Sequence, residues 1–214
     1  MKPTVQVNTH KPANKQKGFT LIELIVAVAI VGILVTLATP SFQSLIQSNR
    51  IQGAATEFQA AMALARSEAI KRGADAKVTV LANVLDGSRS WNNGYSVFVD
   101  RSLPNASLSQ LETELNKASA TSRNELLMSV PAMNNTVNFT DNSNQFYLTY
   151  NGLGRTVQTN GAQLSASYQF SPSTGSTDSD TRCIILNVMG RIRSAKLTPT
   201  ELKSSTYNNK CPVN

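Results

Sequence analysis

Two arginines one residue apart near the carboxyl end, in Gly190-Arg191-Ile192-Arg193, are the side chains best suited to bind something charged. In strand-like alternation Arg191 and Arg193 share a face while Ile192 points inward. Paired guanidiniums suit phosphate oxygens, which they grip bidentately. Lys196 follows closely, and Lys203 and Lys210 could extend the track. Tyr207 stands alone there, with no aromatic cluster for base stacking or sequence reading. The expected ligand is the phosphate backbone of double-stranded DNA, held without sequence preference. Affinity of that kind lies at roughly 10⁻⁴–10⁻⁶ M at physiological salt and falls steeply as salt rises. The alternative reading is a solvated charged edge that keeps a terminal strand from mispairing.

The charge is concentrated where this reading needs it. Of the net +7, residues 1–18 hold +4 and the segment from Arg182 onward holds +5, which leaves −2 for the body. Local charge of this kind points to local partners. Charged residues make up only 15% of the chain, and Ser, Thr and Asn fill the gap, a composition that leans toward an exported β-rich domain.

Catalytic chemistry is poorly supplied. The one histidine, His10, precedes the apolar segment described next. Once that leader is removed, Ser-His-Asp and Cys-His systems are impossible. Two cysteines without histidine make no common tetrahedral zinc site, and no Gly-rich phosphate loop with Lys is present. Glu112 and Glu114 would lie on opposite sides of a helix. No catalytic residue, metal or cofactor is therefore expected. In an oxidising space Cys183 and Cys211 would pair, closing a loop of about 28 residues and contributing roughly 3–4 kcal/mol. Two unpaired thiols remain the alternative.

Residues 19–39, FTLIELIVAVAIVGILVTLAT, carry a single charge, Glu23. About 20 residues at 1.5 Å each span roughly 30 Å, a bilayer's hydrocarbon thickness. The apolar residues have no preferred face, which favours a lipid-surrounded helix over a buried core helix. Lys2, Lys11, Lys15 and Lys17 precede it with no acid, a cytoplasmic flank by the positive-inside rule. Ala38-Thr39-Pro40 is a poor secretory cleavage site; Lys17-Gly18-Phe19 is the better junction, and a cut there keeps the helix as an anchor. A carboxylate in the apolar layer costs about 2.5–3.5 kcal/mol. Glu23 is thus expected to be paired and functional, or else to reach into the headgroups.

Here the chain resembles a known family. KGFTLIELIVAVAIVGILVTLATP is similar to the class III signal of type IV pilins and type II secretion pseudopilins. The resemblance implies cleavage by a prepilin peptidase after Gly18, N-methylation of Phe19, pairing of Glu23 with a neighbouring subunit's terminal amine, and a helix-kinking Pro40. LARSEAIKRG, WNNGYSVFVD and CIILNVMGRIR resemble the FimT/GspH group, with Trp91, Gly94 and Asp100 in matching places. The G-R-x-R segment is similar to that of FimT-type minor pilins that bind DNA in natural transformation, which would make Arg191 and Arg193, and less directly Lys196, the DNA contacts. Residues 102–122 look longer than the usual loop. Leu108, Leu111 and Leu115 there form a short helical stripe, with Ser109 and Glu112 as a capping box, and a surface insertion is expected.

The remaining elements must position that basic segment. After Pro40 a helix should run to about Arg72, with an apolar stripe of Leu45, Ile46, Ile51, Ala54, Phe58, Ala61, Ala65 and Ile70 and a terminator at Gly73. From Lys77 the period shifts toward two in KVTVLANV, GYSVFVD, TVNF, QFYLTY, SASYQF and CIILNVM. No internal repeat is evident. The expected fold is α+β, of the type IV pilin kind: a long N-terminal helix, membrane-spanning in its first half, packed on a mainly antiparallel sheet. Its expected parts are a cleaved leader (1–18), a membrane and assembly helix (19–39), an amphipathic stalk (40–72), a β-rich head (73–193) and a basic tail (194–214) tied by Cys183–Cys211. The head would face the periplasm from the bacterial inner membrane, with other pilins, prepilin peptidase and DNA as partners. The competing reading is a structural minor pilin or a GspH-like secretion pseudopilin that acts only in filament assembly.

Overall fold

The computed structural model describes residues 18–75, 77–100, 109–111, 113, 125–142, 145–158, 160–173, 181–202 and 211. The chain divides into two compact units, residues 1–41 and 42–214.

One helix, α1, is assigned from Leu21–Arg72. Its start is set by Thr20, whose Oγ1 accepts from the Glu23 backbone N–H at 3.3 Å, a cap on an otherwise unpaired donor. In the first unit, every residue from 18 to 37 is exposed, including Phe19 at 86%. Its best window has a mean hydropathy of 2.8 with none of it buried, and by length and composition it is apolar enough to cross a membrane.

In the second unit, α1 buries Ile51, Ala55, Phe58, Ala61, Met62, Ala65 and Ala69, spaced three and four apart. The expected stripe needs correction at its ends. Leu45, Ile46 and Ile70 remain about half exposed, because the buried face runs through Ala55, Met62 and Ala69 instead. A 3-10 turn at Gly73–Asp75 ends the helix.

Eleven strands follow among the described residues: β1 (Lys77–Ala82), β2 (Val84–Leu85), β3 (Ser88–Arg89), β4 (Tyr95–Asp100), β5 (Leu126–Val130), β6 (Val137–Asp141), β7 (Tyr147–Tyr150), β8 (Thr156–Val157), β9 (Ala166–Pro172), β10 (Thr181–Leu186) and β11 (Ile192–Leu197). A short helix, α2, spans Pro199–Leu202. The strands form two main sheets and a small hairpin. The first sheet runs β5-β4-β1-β7-β8, the second β11-β10-β9-β6, and β2 pairs with β3. All the pairings are antiparallel.

Both sheets and α1 share one core. Phe58 sits at its centre, with ring centroids of Trp91, Tyr95, Phe139, Tyr168 and Phe170 between 4.8 and 5.9 Å away. Edge-on contacts of this kind add to the area they bury. On the other face of the first sheet, Leu81, Phe98 and Tyr147 pack with Leu111. Leu111 is fully buried, so the expected surface insertion docks at least this residue onto the sheet. Leu108, Glu112 and Leu115 lie outside the described residues. The expected head boundary at residue 193 falls inside β11, which stays paired with β10 through Leu197.

Candidate nucleic-acid interface

Arg191 and Arg193 are placed by the β10–β11 hairpin. Asn187 organises its turn. The Asn187 Oδ1 accepts from the N–H groups of Met189 at 3.1 Å and Arg191 at 3.0 Å. Gly190 donates its N–H to the Asn187 carbonyl at 2.8 Å, and Asn187 donates to the Arg191 carbonyl at 3.2 Å. Gly190 has φ of 73°, which a glycine adopts without steric cost. Ile192 then pairs with Leu186 and packs half-buried against the core. Arg191 and Arg193 are exposed on either side of it. Arg191 ends the turn just before β11, and Arg193 lies within the strand.

Lys196 falls elsewhere. It is exposed and pairs in register with Arg182, whose Nη2 donates to the Gln52 side-chain oxygen on α1 at 3.2 Å. Arg193 and Lys196 are three positions apart in β11, so strand alternation turns them to opposite faces. Arg191 and Arg193 are thus both exposed beside the turn, and Lys196 lies on the opposite face of β11 from Arg193. Lys203, Tyr207 and Lys210 lie outside the described residues. Arg193 shares its face of the second sheet with the Cys183–Cys211 disulfide, whose Cα atoms are 5.6 Å apart. Cys211 is held down there by its carbonyl, which accepts from the Asn142 side-chain amide at 3.1 Å and the Ser167 hydroxyl at 3.4 Å.

A second arginine-bearing turn was not recognised in the sequence. Asn151-Gly152-Leu153-Gly154-Arg155 joins β7 to β8 and repeats the bonding of Asn187-Val188-Met189-Gly190-Arg191. Asn151 Oδ1 accepts from Leu153 N–H at 3.1 Å and Arg155 N–H at 3.0 Å. Gly154 donates to the Asn151 carbonyl at 2.8 Å, and Asn151 to the Arg155 carbonyl at 3.0 Å. Gly154 has φ of 70°. The signal was available: Asn-x-x-Gly-Arg occurs at both places.

The two turns stack. A β-carbon at Gly190 would overlap the Gly154 carbonyl oxygen and touch the Tyr150 ring. Thr156, beside Arg155, donates its N–H to the Val188 carbonyl at 3.3 Å, and its one hydroxyl hydrogen is shared between the Leu164 carbonyl at 2.7 Å and the Asn187 carbonyl at 3.0 Å. On the other side the first turn meets the end of α1. A β-carbon at Gly152 would overlap the Gly73 carbonyl, and one at Gly154 would press on Ile70 and Arg66. Arg66 also reaches the second turn, donating from Nη2 to the Met189 carbonyl at 3.3 Å. Arg155 is exposed, and Leu153 and Met189 form matching exposed tips.

The ion pairs among the described residues join Glu68 with Lys71 and Arg72, and Arg72 with Glu125. None involves Arg155, Arg191 or Arg193. Exposed guanidiniums on a braced backbone, without carboxylate partners, can offer paired donors to an anion. At the amino end, Gly18 and Phe19 precede α1 and Glu23 lies exposed in its first turn.

Known proteins resemble parts of this chain. Residues 54–190, more than half of the chain, match the family model described as type II transport protein GspH. Residues 13–39 match the prokaryotic N-terminal methylation motif. The type IV major alpha-pilin of Moraxella bovis is 51% identical over 43 residues, 19% of this chain and 27% of that protein. A fimbrial protein of Pseudomonas aeruginosa is 44% identical over 52 residues, 24% of this chain and 34% of that protein. The chain thus spans well under half the length of these curated relatives. Among solved structures, the type IV minor pilin FimU of Pseudomonas aeruginosa has 20% identity and a TM-score of 0.48, covering 69% of this chain and 89% of that one.

Proposed function

This chain belongs to the GspH family, and from that premise we propose that it is a minor type IV pilin whose head holds DNA through Arg191 and Arg193 for uptake in natural transformation. Prepilin peptidase would cut after Gly18, and Phe19 would become the methylated terminus. The apolar half of α1 then anchors the chain in the inner membrane with its head in the periplasm. Glu23 pairs with a neighbouring pilin's terminal amine, an arrangement that offsets the cost of burying its charge only within the filament.

The observation that carries the DNA reading is that Arg191 and Arg193 are both exposed at a braced hairpin turn, with no carboxylate partner among the described residues. Arginines so held grip successive backbone phosphates and read no bases. The test is retention of a labelled duplex by the full chain in nonionic detergent at low salt. The wild-type chain should retain it, and Arg191→Ala with Arg193→Ala should retain far less.

A second reading has its own support. β11 is an edge strand, and charged side chains on an edge discourage pairing with other chains. On that reading the chain is a structural minor pilin or a secretion pseudopilin. The wild-type chain would then fail to retain DNA at any salt.

A further inference from the structure

We infer that Arg155 is a third phosphate contact, so that the DNA-binding surface is the pair of stacked turns and not β11 alone. This rests on the DNA reading above and extends it to a residue outside the G-R-x-R segment.

The argument is geometric. Arg155 and Arg191 occupy the same position in two turns with the same hydrogen bonds. Each directly follows a glycine, and those glycines, Gly154 and Gly190, are in backbone contact. Bond lengths and the 3.8 Å Cα spacing then cap the separation of the Arg155 and Arg191 Cα atoms at about 10 Å. Arg193 lies two strand residues beyond Arg191, about 7 Å along the chain. A DNA duplex carries one negative charge per roughly 1.7 Å of axis, so three guanidiniums this close face several phosphates at once. All three are exposed, and none pairs with a carboxylate among the described residues.

The surface is also pre-organised. Thr156 ties the first turn to the second through its N–H and the Val188 carbonyl. Arg66 acts as a positioning residue, joining α1 to the second turn through the Met189 carbonyl. Holding the cations in place before binding lowers the ordering cost of association. Lys196 belongs to the opposite face of β11 and is not part of this surface.

The experiment measures binding of a labelled duplex to the full chain in nonionic detergent by fluorescence anisotropy across a salt series. Arg155→Gln and Arg155→Lys are compared with Arg50→Gln. The last removes the same charge 16 positions before Arg66 on α1, about 24 Å away along the helix. Each phosphate contact contributes about 0.9 to the log–log salt slope. Arg155→Gln should lower the slope by about that much, Arg155→Lys should restore it, and Arg50→Gln should match wild type. A slope for Arg155→Gln equal to that of Arg50→Gln, or a failure of lysine to restore it, overturns the inference while the DNA reading stands. Absence of binding by the wild-type chain overturns the DNA reading itself.

Discussion

Replacing Gly190 by alanine makes two demands on the second turn at once. The backbone there has φ of 73°, and an L-residue in that region is strained by about 1–2 kcal/mol. The new β-carbon must also displace the Gly154 carbonyl oxygen. Separating the turns stretches the hydrogen bond from the Thr156 N–H to the Val188 carbonyl, worth about 0.5–1.5 kcal/mol. The total is about 1.5–3.5 kcal/mol, a substantial share of a typical domain's 5–15 kcal/mol. Gly161 provides the control. Its φ is 82°, but a β-carbon there would meet nothing within 4 Å, so Gly161→Ala should lose only the strain of about 1–2 kcal/mol. Thermal unfolding followed by circular dichroism separates the cases, since 1 kcal/mol moves the midpoint by roughly 2–4 °C at this size. Gly190→Ala should fall by clearly more than Gly161→Ala, and it should also weaken DNA binding. Equal shifts for the two variants would refute the claim that the turns brace one another.

Three further outcomes are expected. Reduction of Cys183–Cys211, which closes a separation of 28 residues, should cost roughly 3–4 kcal/mol, seen as a lower unfolding midpoint with reductant than without. Burial pushes the phenols of Tyr95, Tyr150 and Tyr168 well above their ordinary value, with Glu57 adding at Tyr95, Asp141 and then Tyr150 adding at Tyr168, and Arg66 opposing at Tyr150. The unfolded chain loses these protons from about pH 10 while the folded chain keeps them. Stability should therefore be level below about pH 10 and fall above it, and a urea midpoint unchanged through the alkaline range would contradict this. Mass spectrometry of the protein from cells should find a terminus at methylated Phe19; residues 1–18 still attached, or a start beyond Ala38, would sink the processing scheme.

Much of the fold could be read from local pattern. The apolar run, the switch to period two and the β-branched segments located α1, β1, β4, β6, β7, β9 and β10. β5 escaped because only Val130 of its five residues is buried, so no alternation marks it. β8 is two residues long, too short for any period to show. The division into two sheets was not legible either, because it depends on which distant strands pair. The arginine pair was legible because Arg191 and Arg193 flank Ile192 in the sequence, although in the structure Arg191 ends the turn and Arg193 lies in β11. Lys196 was grouped with it by proximity in sequence, although parity along β11 turns it to the other face. Arg155 went unnoticed for a different reason. Its link to Arg191 is a tertiary contact between two glycines 36 positions apart, and only the repeated Asn-x-x-Gly-Arg hinted at it.

The most direct test of the account is the salt dependence of duplex binding by the intact wild-type chain set beside Arg191→Ala with Arg193→Ala. Two contacts should reduce the log–log slope by about 1.8, with binding vanishing as salt rises. Unchanged binding by the double variant, or no binding by the wild-type chain at the lowest salt, would contradict it.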